Sequence, residues 1–112
     1  MERGVLYVAS RPSSPEREAE YNAWYDRVHL RDVCSLPGFV GAKRFAPVQD
    51  DGPYVALYEI EGEDLNEVVA GLFKAAAEGR FDLSDAMQLD PRPELRVLRL
   101  TLSYGEEAPG EA

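Results

Sequence analysis

The chain predicts an α+β domain with the element order βαββαβ, and three observations carry that prediction. Four β-rich runs lie at 4–11, 39–47, 54–60 and 95–104. The middle two are separated only by Gln49-Asp50-Asp51-Gly52-Pro53, a turn composition that joins them as an antiparallel hairpin. The two longer intervals carry helical periodicity: Tyr21, Tyr25, His29 and Val33 recur every four residues, and Leu65, Val68, Val69, Leu72, Phe73 and Ala76 form one apolar stripe.

The first run, GVLYVASR, places Val5, Tyr7, Ala9 and Arg11 on one face and Leu6, Val8 and Ser10 on the other, neither plainly polar. Pro12-Ser13-Ser14-Pro15 turns into a helix expected over about 15–35, with Ser14 as cap and Pro15 at its first position. Leu36-Pro37-Gly38 stops it. The second strand separates Phe39, Gly41, Lys43 and Phe45 from Val40, Ala42 and Arg44. Asp64 and its neighbours open the second helix and Gly79 closes it; 80–93 is a long connection with a helical turn expected at 84–88. The last strand alternates Leu98, Leu100, Leu102 and Tyr104 against Val97, Arg99, Thr101 and Ser103. Residues 1–104 form one domain and 105–112 an acidic, disordered tail.

A βαββαβ order predicts a four-stranded antiparallel sheet with two helices on one face, the ferredoxin-like arrangement. Its other face would expose more aromatic surface than a monomer tolerates, which predicts a homodimer through the sheet faces. The 21 acidic residues against 12 basic ones give a net charge of -9, which speaks against nucleic acid and anionic membranes as partners. No apolar run approaches the length of a membrane span, no export signal begins the chain, and one cysteine forms no internal disulfide; a cytoplasmic location is expected. With one histidine and one cysteine, neither a metal nor another cofactor is expected.

Chemistry concentrates in 21–39, which holds the only Trp, His and Cys. His29 is the candidate general acid–base, since imidazole titrates near neutrality; Tyr25 and Asp26 complete the candidate catalytic set. Trp24, Tyr7, Tyr21, Tyr58 and Arg44 are the candidate substrate-binding residues, with packing the plainer role for the aromatics and a surface position the plainer one for Arg44. Cys34, with no base nearby in sequence, reads as buried and inert.

The run W-Y-D-x-x-H from Trp24 to His29, followed by L-P-G-F at 36–39, resembles EthD-like members of the dimeric α/β-barrel superfamily, and the resemblance extends over roughly 4–104. It implies a sheet-to-sheet dimer with a pocket between each sheet and its first helix. It also implies a cofactor-independent cyclase or isomerase acting on a small apolar carbonyl or aromatic compound. A monooxygenase of the same fold, on a quinol or haem, and a non-catalytic binding or accessory dimer are the alternatives.

Overall fold

The computed structural model describes residues 1–105. The elements are β1 (Glu2–Ser10), a helical segment over 15–34, β2 (Phe39–Phe45), β3 (Tyr54–Gly62), a second helix (Leu65–Ala77) and β4 (Glu94–Arg99). The class is α+β: one four-stranded sheet in the order β2-β3-β1-β4, with every neighbouring pair antiparallel. The acidic tail expected at 105–112 lies outside the described residues apart from Gly105.

Alternation decides which face of the sheet is covered. Leu6 and Val8 of β1 and Ala56, Tyr58 and Ile60 of β3 point to the side where both helices pack, and all five are buried. Tyr21, Trp24, Tyr25 and Val33 of the first helix and Leu65, Val69 and Ala75 of the second meet them there. The opposite face carries Val5, Tyr7, Val55 and Leu57, only half-buried, and among the described residues no helix lies over it.

The first helix is not uniform. Pro15–Arg17 is 3₁₀, Glu18–Trp24 is α, Tyr25–His29 is π and Leu30–Cys34 returns to α. Residues four apart overshoot an α turn of 3.6, so a four-residue column drifts off the core face. The wider π turn takes up that drift, and Tyr21, Tyr25 and Val33 all stay buried. Ser14 makes no side-chain cap, so the start rests on Pro15. Gly38, at φ 87°, supplies the left-handed residue that turns the chain from helix into β2.

Four expectations need correction. A bulge between Phe39 and Gly41 shifts the register, so Phe39 joins Ala42 and Arg44 on the helix side instead of Gly41 and Lys43 on the open side. On the second helix Ala75 is buried while Phe73 is 56% exposed, so the core-facing stripe lies to one side of the expected one. The connection at 84–88 holds only a turn at 85–86 and an isolated bridge between Pro12 and Met87, not a helical turn. Finally, β4 ends at Arg99, not at 104. Its partner β1 has almost run out there: Gly4 pairs with Arg99, and Leu100 N–H still reaches the Arg3 carbonyl at 2.8 Å.

Candidate functional site

Most of the residues singled out by sequence fall into two neighbouring groups under the first helix. The first surrounds His29. Its ring stacks on Trp24, with centroids 4.6 Å apart and planes at 24°. Tyr25 stands perpendicular to it at 5.0 Å and Phe81 at 6.0 Å. The π turn brings Tyr25 and His29 together, and Phe81 arrives from the long connection, which is fastened by the Trp24 Nε1–H bond to the Asp82 carbonyl at 2.8 Å. His29 Nδ1 is buried without a hydrogen-bond partner among the described residues. Burial pushes the imidazole pKa down to about 4, against a smaller opposing pull from Asp32. The ring is therefore neutral across the physiological range.

The second group surrounds Arg44. Its side chain is only 11% exposed, so the expected surface position is corrected: after the bulge, β2 turns this residue inward. The guanidinium lies 4.4 Å from the ring centroid of Tyr25, 5.1 Å from Tyr54 and 5.4 Å from Tyr21. Its Nη1 donates to Asp26 Oδ1 at 2.8 Å. Asp26 therefore serves Arg44, and among the described residues no hydrogen bond links it to His29.

Hydroxyls close the cluster. Tyr21 OH shares a 2.6 Å hydrogen bond with Ser10 Oγ, Tyr58 OH donates to Tyr25 OH at 3.5 Å, and Tyr54 OH donates to Glu18. Desolvation raises the pKa of Tyr21, Tyr25 and Tyr58, so all three stay protonated at neutral pH. Tyr7 is not part of either group; it projects to the open face opposite Leu57 and Arg96. Cys34 is half-buried rather than buried, and burial raises its thiol pKa, which keeps the thiol protonated. Tyr54 and Phe81 are the members that sequence reasoning left out. The apolar Phe81 following Gly79 was the available signal for the second of them.

The larger cavities do not open on His29 beneath the middle of the first helix. One of about 500 Å³ lies between Leu36-Pro37-Gly38 and the second helix, bordered by Val68 and Gly71. Another, of about 670 Å³, lies between the open sheet face and 98–103. A third, of about 570 Å³, lies between the start of the helical segment (Pro15, Glu18) and the Asp50–Tyr54 end of the hairpin. None of these is lined by His29, Tyr25 or Trp24. Among the described residues no group of three or more His, Cys, Asp or Glu is placed to hold a metal ion, and no helix is long and apolar enough to cross a membrane.

No family model matches the chain, and no solved structure does. The chain is similar to the flagellar assembly factor FliW of Bacillus licheniformis, 38% identical over 71 residues. The match takes in 58% of this chain and 50% of that protein, so the chain spans about half the length of the curated relative it matches. This finding corrects the EthD-like resemblance and the activities drawn from it. The relative is named for assembly and not for a reaction, so the cyclase, isomerase and monooxygenase readings, with the enzyme assignment itself, are set aside. The W-Y-D-x-x-H run that suggested them describes how this helix packs, which is a weaker clue than a match over 71 residues.

Proposed function

We propose that the chain is a non-catalytic accessory protein that binds another protein, as an assembly factor does. It works as a homodimer of ferredoxin-like units paired through their open sheet faces, in the cytoplasm. The observation that carries this reading is where apolar side chains meet solvent. Leu98 and Leu100 are each 45% exposed, Leu102 is 81% and Tyr104 98%, all on or just beyond an edge strand. Phe73 on the second helix and Leu83 and Leu89 on the 80–93 connection are exposed on other elements. Apolar patches of this kind mark surfaces that meet other proteins. The sheet side suits self-pairing, which leaves Phe73 and the connection for the partner.

In this reading His29, Tyr25, Asp26, Trp24, Tyr21, Tyr58 and Arg44 hold the helix against the sheet. Their aromatic stacking and the single Arg44–Asp26 pair are what such a role requires. The similarity to an assembly factor supports the same direction.

In-cell crosslinking with mass spectrometry, in the organism that carries the chain, identifies the partner. The purified pair is then titrated by calorimetry. Binding is expected to survive His29→Gln and to be lost in Leu83→Glu/Leu89→Glu, whose altered positions are exposed and leave the fold intact. Absence of any reproducible protein crosslink, or binding indifferent to the connection, contradicts the proposal.

A further inference from the structure

The end of the first helix and the start of the second border a shallow groove of about 500 Å³, and three glycines shape it. Gly38 and Gly62 lie so close to Val68 that a Cβ on either would come within 2.8 and 2.6 Å of its methyl groups. The turn after the first helix and the end of β3 therefore rest directly on the second helix. Leu36, Pro37 and Val68 form an apolar floor. On the helix side, Gly71 has nothing within 4 Å of where its Cβ would stand. A glycine there costs helix stability and returns no packing; its effect is to leave the groove open.

The rim is charged, and unevenly so. Five carboxylates line it against Lys74 and Arg80. Two of them are matched: Glu61 lies 3.8 Å from Arg3, and Glu78 lies 3.8 Å from Arg80. Glu63, Asp64 and Glu67 have no ion-pair partner among the described residues, and all three sit where the second helix begins. Lys74 stands about two turns further along the same helix.

We infer that this groove docks a segment of a partner protein that has apolar side chains on one face and lysine or arginine grouped at one end. The floor takes the apolar face, and the end formed by Glu63, Asp64 and Glu67 takes the cations. Charge decides the occupant. A second copy carries the same net charge of -9. The chain's own last residues, Gly-Glu-Glu-Ala-Pro-Gly-Glu-Ala, bring three carboxylates and no cation. This rim repels both. A basic amphipathic segment is drawn to it, and burial of its apolar face adds the short-range attraction that rim charges do not supply. The inference rests on the reading of the chain as a protein-binding accessory and names the partner's chemistry. It adds a surface distinct from Phe73, which lies about 200° round the helix from Gly71.

The probe is a short fluorescein-labelled peptide with leucines at helical spacing and lysines grouped at one end, titrated against the full-length chain by anisotropy. It is expected to bind, and its counterpart with glutamate for lysine is not. Gly71→Trp fills the groove from a position with no close neighbour and should abolish binding, whereas Gly71→Ala should bind as the wild type does. Glu63→Gln/Glu67→Gln should weaken binding about tenfold. Glu16→Gln/Asp51→Asn removes the same charge at exposed positions away from the groove and should change binding less than about twofold. Equal losses from the two pairs, binding indifferent to Gly71→Trp, or a peptide that does not bind would each overturn the groove as the site. A protein recovered by crosslinking is titrated against the same variants. If it binds Gly71→Trp undiminished but not Leu83→Glu/Leu89→Glu, the groove is overturned and the accessory reading stands. If it loses Gly71→Trp and ignores Leu83→Glu/Leu89→Glu, the groove stands and the connection is not the contact.

Discussion

His29 lies flat against Trp24, 4.6 Å between ring centroids, and its Nδ1 has no hydrogen-bond partner among the described residues. An imidazole held this way contributes to stability only while it is neutral. Its folded pKa is about 4 against an ordinary 6.5, so the unfolded chain binds the proton more readily. The contribution is complete above pH 6.5 and is lost as pH falls from there through 4. At about 1.4 kcal/mol per pH unit, that loss amounts to about 3 kcal/mol. Urea denaturation at several pH values should show stability declining below pH 6.5, and His29→Gln should flatten the decline above pH 5. A His29 ring whose NMR shift titrates near 6.5 would contradict this.

Trp24 is 9% exposed and joins the first helix to the long connection through Asp82. Trp24→Ala should destabilise by about 3–5 kcal/mol, as truncation of a core aromatic does. Trp24→Phe, which loses the hydrogen bond but keeps an aromatic ring, should cost less. Thermal melts followed by circular dichroism distinguish the two. A loss below about 1 kcal/mol for the alanine variant would show that the indole is not part of the core.

Arg44 and Asp26 form a pair of unequal burial, with side-chain exposures of 11% and 58%. Removing Asp26 strands a buried cation, so Asp26→Ala should cost about 1–3 kcal/mol, more than the 0–1 expected of a surface pair. Adding Arg44→Met removes the stranded charge and should recover most of that loss. A double-mutant cycle by urea denaturation reads the coupling. Additive losses would mean that the surrounding tyrosine rings, rather than Asp26, stabilise the guanidinium.

Much of the fold was legible because period and punctuation agreed. Alternation through Leu6 and Val8, the Asp50–Pro53 turn and the stripe from Leu65 to Val69 each gave one consistent element. The end of β4 was not legible, because its alternation continues while its partner strand stops, and a strand's length depends on its neighbour. Arg44 was expected at the surface as a charged residue, and its partner rings come from other elements; the facing of β2 was misread for a different reason. A single bulge near Gly41 reverses the facing of Phe39 relative to everything after it, and no residue type announces that. In the site, the Tyr21–Tyr25 column was visible as spacing, whereas Phe81 enters from a connection without periodicity. The function was read least well. One histidine in an aromatic run looks the same in sequence whether it moves protons or fills space.

The most direct test of the central claim is complementation of a strain from which the gene has been deleted. The account predicts that His29→Gln restores the wild-type phenotype fully, while Leu83→Glu/Leu89→Glu, equally well folded, does not. The opposite result, with His29→Gln inactive despite an unchanged melting temperature and the Leu83→Glu/Leu89→Glu chain fully active, would contradict it.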